Sequence, residues 1–218
     1  MRAAPSDDYD LDNPQYSNYI GSSGPQCNYG DCPPDPFQKY CNGLDQPLVP
    51  PPAILYPGYG PSMSYGDTPD KSLLRGMFGR GNGDTSGPSI RIADVTDGTT
   101  NTLLLGETLP QECEFQRYGY KWGWAGDNSV SQGQTIQPIN YPIEDPGLPD
   151  FVANCSVCRD KDHCLMNWHV TWGFKSKHPN GVNFCFVDGS VHFISQDIDH
   201  QTYQYLGCRD DGQTITVP

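Results

Sequence analysis

No apolar run in this chain approaches the roughly 20 residues of a membrane span, and no basic-then-apolar leader opens it. As it stands, the chain is therefore expected to be soluble. Positive charge is also scarce: 13 Lys and Arg against 26 Asp and Glu leave a net charge of −13. That balance argues against nucleic acid and anionic membrane as partners and favours cations or basic surfaces. Apolar residues make up only 35% of 218 residues, enough for one domain with a modest core. Missing too are G-x-S-x-G, H-E-x-x-H, Walker and dinucleotide fingerprints. The common hydrolase, zincin and nucleotide-binding chemistries thus lose their usual sequence support.

What the chain has in quantity is Gly (24), Pro (21) and, for its size, Cys (9). Cys27, Cys32, Cys41, Cys113, Cys155, Cys158, Cys164 and Cys208 are the disulfide candidates, stapling Pro/Gly-rich loops that cannot build a core of their own. The expected setting is extracytoplasmic: cell surface, periplasm-like space or secreted. An odd count leaves one thiol over, and Cys185 on a central strand is the candidate. Cys155, Cys158 and Cys164 with His163 and His169 could also hold zinc, but the spacing matches no zinc-finger pattern and disulfides are preferred.

Residues 1–70 hold 13 of the 21 prolines and read as an irregular Pro/Tyr-rich arm packed on a core formed by 71–218. Asp8, Asp10 and Asp12 open like a calcium loop but lack its Gly and closing Glu, so an acidic tail is preferred. In the core, Leu73–Phe78 predicts a helical turn, Asp94 a cap for a turn ending at Gly98, and Thr102–Leu105 a short strand buried on both faces. Glu107 follows either as a partner for a backbone or basic group, which is preferred, or as a polar site residue. Tyr118, Tyr120, Trp122 and Trp124 alternate, as do Trp168, Val170, Trp172 and Phe174. Such rings can form a sugar platform, but two aromatic strands packing together favour core. Residues 126–166 between them read as a Cys-containing loop insertion.

Lys177–Ile194 is the best-signalled stretch. Asp188-Gly189 between two β-branched and aromatic runs predicts a hairpin with a two-residue turn, pairing Phe186 with Val191, Cys185 with His192 and Phe184 with Phe193. Val182, Phe184, Phe186, Val191 and Phe193 then share one apolar face, and the hairpin is a central pair of the sheet. Asp197–Gly207 reads as a short helix, capped by Asp197 or Asp199 and stopped by Gly207, with Ile198, Tyr203 and Leu206 on the sheet. Thr214–Val217 reads as an edge strand.

Three runs in this chain resemble a known family. His178, nine residues and Asp188-Gly189 form an H-x(9)-D-G motif; Arg91-Ile-Ala-Asp94-Val-Thr-Asp97-Gly98-Thr-Thr-Asn101-Thr-Leu-Leu-Leu-Gly106-Glu107 forms a second; Ser17-Asn-Tyr19-Ile-Gly21 a third. Together with Tyr203-x-x-Leu-Gly207 they are similar to the planctomycete prepilin-like proteins of unknown function. The resemblance implies an α+β, pilin-like domain with a twisted antiparallel sheet and long loops. In that family a hydrophobic N-terminal helix with a prepilin cleavage site comes first. Here Met1-Arg-Ala-Ala-Pro-Ser-Asp falls where the segment after that helix would begin.

The function expected is thus a non-enzymatic structural or assembly role: the globular domain of a pilin-like or pseudopilin-like subunit, in a surface filament or a type II secretion-type apparatus, with other such subunits as partners. The alternative is a secreted carbohydrate- or calcium-binding module; Asp94, Asp97 and Asn101 carry oxygen ligands of the type calcium takes. No other cofactor is expected. A third class, an enzyme using His178, His192, Asp188 and Glu107, rests mainly on the predicted Cys185–His192 pair, and proximity across a hairpin proves little. His178 and Asp188 are expected to shape turns.

Overall fold

The computed structural model describes residues 17–26, 69–79, 87–109, 132–141, 172–213, 215 and 217. Within them lie five strands and one α-helix: β1 (Tyr19–Ser22), β2 (Leu103–Glu107), β3 (Gln132–Gly133), β4 (Gly181–Phe186), β5 (Val191–Ser195) and α1 (His200–Gly207). The strands form one sheet in the order β3-β1-β2-β4-β5. Its pairs are antiparallel except β1·β3, which is parallel. The class is α+β, with a mixed sheet where an antiparallel one was expected. Single 3-10 turns occur at Lys71–Leu73 and Ile92–Asp94.

The core lies on one face of the sheet. Ile20, Leu103, Val182, Phe184, Phe186 and Ile194 meet Phe174, Ile139 and the Tyr203 and Leu206 side chains of α1. Phe174 packs edge-on to Phe184 with ring centroids 5.0 Å apart. Gly106 is what lets Phe174 in: a Cβ there would sit 2.6 Å from the Phe184 ring and closer still to Phe174. Asp199 caps α1 by accepting from Thr202 N at 2.8 Å. Gly207 belongs to the helix rather than ending it in a left-handed turn; it is small because Thr135 lies against it. Ile198 packs against the core, as do Ile215 and Val217, which lie outside any strand.

Several sequence expectations change. Ser17–Ser22 is not irregular arm: β1 is an interior strand, too short and Gly-broken to show an alternating pattern. The supposed 126–166 insertion contains β3 and the buried Ile136 and Ile139. Trp172 and Phe174 are buried in the core, while Trp168 and Val170 lie outside the described residues. β2 is not buried throughout: Leu104 and Leu105 are half-buried. Cys208, named as a disulfide candidate, is a buried free thiol, and Cys185 is free and half-buried. Cys27, Cys32, Cys41, Cys113, Cys155, Cys158, Cys164, residues 118–125 and Asp8–Asp12 lie outside the described residues.

The hairpin itself is slipped by one residue. Cys185 pairs with Val191, Phe184 with His192 and Asn183 with Phe193. The loop has three residues: Gly189 N donates to Phe186 O, and Phe186 N to Ser190 O, both at 2.9 Å. Gly189 takes φ +87° where the chain rejoins the ladder, the turn-plus-bulge form of hairpin. Because directly opposed residues share a face, Val191 and Phe193 move off the core face to the outer one. β5 is also an edge strand rather than half of a central pair.

Candidate functional site

On the outer face of the sheet Glu107 is a buried charge. The residue pairs place Phe193, Asn183, Glu107 and Tyr19 side by side across β5, β4, β2 and β1. Glu107 follows Gly106, so alternation turns its carboxylate outward just where Gly106 makes room inward. Its Oε2 accepts from Asn183 N at 2.8 Å, and Asn183 Nδ2 reaches both oxygens at 3.3 Å. Oε1 also faces His178 Nε2 at 3.3 Å and the Tyr19 hydroxyl at 3.5 Å. Burial raises the Glu107 carboxyl, but hydrogen bonds from Asn183 and Ser176 and the nearby His178 outweigh it and hold it below its usual value. Its side chain is 12% exposed, against 55% for His178. A carboxylate so fully bonded is a weak base with little free coordination capacity.

His178 therefore does more than shape its own turn: its ring closes on Glu107, while its N–H is held by Ser176 Oγ at 3.0 Å. The expected Cys185–His192 pair does not form. His192 opposes Phe184 and lies on the other face of the hairpin from Cys185, so the one suggested nucleophile–base arrangement is lost with the register.

At the far end of β2 and β4 the remaining motif residues are tied to one another. Asp188 Oδ1 accepts from Ser190 N at 2.8 Å and Ser190 Oγ at 2.7 Å, which lowers its pKa. The turn N–H groups of Val187 and Asp188 donate to Thr102 O and Thr99 O. Gly98 has φ +100°, and Asn101 Nδ2 spans that turn to Asp97 O at 3.3 Å. Asp97 takes the C-terminal segment: its oxygens accept from Asp211 N at 2.6 Å and Gly212 N at 2.9 Å. Asp94 closes its own 3-10 turn by accepting from Arg91 N at 2.9 Å, rather than capping the following one. Hydrogen bonding from Lys71 and then Arg91 holds its carboxyl well below the usual range. Asp94, Asp97 and Asn101 thus point into separate bonds, and no group of three metal-capable side chains occurs among the described residues.

Two groups here escaped the sequence entirely. Arg209 is 2% exposed and donates to the carbonyls of Lys71, Leu74 and Gly76, while Asp210 bridges it to Arg75. Asp211 is pushed up to about 7, first by burial and then by the adjacent Asp97 charge. A lone Arg or a D-D-G tail gives no local signal of such burial.

The motifs that resembled a family are therefore laid against one another in space. A family profile described as a protein of unknown function (DUF1559) matches residues 5–201. The chain belongs to the DUF1559 family. No curated protein and no solved structure matches it. Within this DUF1559 chain, the H-x(9)-D-G spacing has a plain geometric meaning. It spans β4 from the Glu107 end of β2 to the Thr99–Thr102 turn at the other. No helix among the described residues is long and apolar enough to cross a membrane.

Proposed function

We propose that this DUF1559 chain is a non-enzymatic structural or assembly protein: the globular domain of a pilin-like or pseudopilin-like subunit that works outside the cytoplasm. One observation carries the proposal. The motif side chains are used up in holding the sheet together: Glu107 with His178, Asn183 and Tyr19, Asp188 with its own turn, Asp97 with the C-terminal segment. A catalytic site needs a nucleophile, base or oxyanion donor left free for substrate, and these residues are bonded to the protein instead. The test is expression of the chain behind an apolar, prepilin-type helix with its processing peptidase. Membrane-anchored, sedimentable polymer is the expected product. Dispersed monomer after correct processing would count decisively against assembly.

A further inference from the structure

Among the described residues β5 ends the sheet, and within the strand itself there is no Lys, Pro or bulge. The ladder to β4 uses Ser190 O and Gln196 N at its two ends, so the even-numbered residues turn their backbone groups toward β4. The N–H and C=O groups of Val191 and Phe193 consequently point outward, and among the described residues none of these four groups has a partner. Ser195 O is taken by Ile198 N, which closes that end. The opposite edge differs: β3 has two residues, and Gln134 beyond it bridges to Gly173. Natural edge strands are blunted by Lys, Pro or a bulge. β5 reads Val-His-Phe-Ile-Ser, and its pairing with β4 runs unbroken from Gly181–Ser195 to Cys185–Val191. On the outer face its two large apolar side chains stand clear: Val191 is 66% exposed and Phe193 48%.

We propose that the outer edge of β5 accepts an extended polypeptide segment from another protein by strand addition. The segment is apolar at alternate positions, to lie beside Val191 and Phe193, and basic at its ends. Main-chain bonds supply affinity in this mode and alternate side chains the choice of partner. The basic ends follow from charge. β5 has no formally charged side chain, but Asp188 precedes it and Asp197 and Asp199 follow it, in a chain of net charge −13. A second copy is the poorer occupant for the same reason. Antiparallel pairing about a two-fold axis at Phe193 would bring Asp188 of one copy beside Asp197 of the other, a repulsive contact. An edge of this kind takes a strand whether or not the chain also assembles into a filament.

The probe is the blocked peptide acetyl-KVTVTVK-amide, with acetyl-EVTVTVE-amide as its control, and the readout is amide hydrogen exchange in the full chain. The basic peptide should slow exchange at Val191 and Phe193 saturably, by about tenfold or more, with the acidic peptide bound at least about tenfold more weakly. Val191→Pro removes one outward N–H without touching the β4 ladder and should abolish the effect while leaving the melting temperature near that of the parent. Should that variant misfold, Phe193→Lys, which adds like charge to the peptide's ends, should weaken binding in its place. Three results would overturn the proposal. Neither peptide slows the two amides; the amides are already protected in dilute monomer; or protection rises with protein concentration alone and sedimentation shows a dimer.

Discussion

The two faces of the sheet are built from neighbouring residues of the same strands, yet they answer to different physics. The inner face is filled by shape: Phe184, Phe186, Ile20 and Leu103 are fully buried, and Gly106 is bare because Phe174 occupies the space a side chain would take. The outer face is held by bonds: Glu107 collects Asn183, His178 and Tyr19, while Tyr19, Val191 and Phe193 stay about half exposed or more. Packing loss is costly everywhere along the inner face. On the outer face the cost should concentrate at Glu107 and fall away within one residue.

The strongest way to break that contrast is Phe184→Ala. It removes the ring that meets both Phe174 and Tyr203, at centroid distances of 5.0 and 5.9 Å, and should cost about 3–5 kcal/mol. Denaturant unfolding would measure it. A cost near 1 kcal/mol would mean that the inner face is loosely packed. Next comes Glu107→Ala, which strands the Asn183 N–H and should cost about 1–3 kcal/mol. Because the Glu107 carboxyl is held below its usual value in the folded chain, its contribution is present above the unfolded pKa of about 4.3 and fades as pH falls through the folded value. The variant should therefore lose acid sensitivity along with stability.

Asp211 gives the opposite sign. Its carboxyl is pushed up to about 7, so what it contributes is fully present below the unfolded pKa of about 3.9 and is lost as pH rises to about 7. Thermal melts across that window should show Asp211→Asn gaining on the parent as pH rises, with the gap vanishing in acid. A pH-independent difference would mean that Asp97 and Asp211 do not share a buried environment.

How far the sequence reached follows the same division. The hairpin was legible from Asp188-Gly189, and the α1 cap was narrowed to Asp197 or Asp199, because turns and caps are written in local residues. The register was not, since a two-residue turn and a three-residue loop both read as Asp-Gly. That single slip put Val191 and Phe193 on the wrong face and created a Cys185–His192 pair that does not exist. β1 and β3 were missed because strands of four and two residues carry no period. His178 and Glu107 were both singled out, but nothing local joins residues from separate motifs; only the β2·β4 pairing does.

The smallest expected effect tests the outer face at its rim. His178 and Glu107 form one contact, but the His178 ring is 55% exposed while the carboxylate is 12% exposed. A polar contact with one solvated partner gains little, about 1 kcal/mol at most, and the carboxylate keeps its Asn183 bonds when the ring is gone. His178→Ala should therefore cost far less than Glu107→Ala, and combining the two should cost no more than Glu107→Ala alone. Additive losses in that double-mutant cycle would mean that His178 holds the fold through some other contact. Equal single losses would move the pair's importance from the carboxylate to the ring, and the spacing of the H-x(9)-D-G motif would then reflect the imidazole rather than the strand.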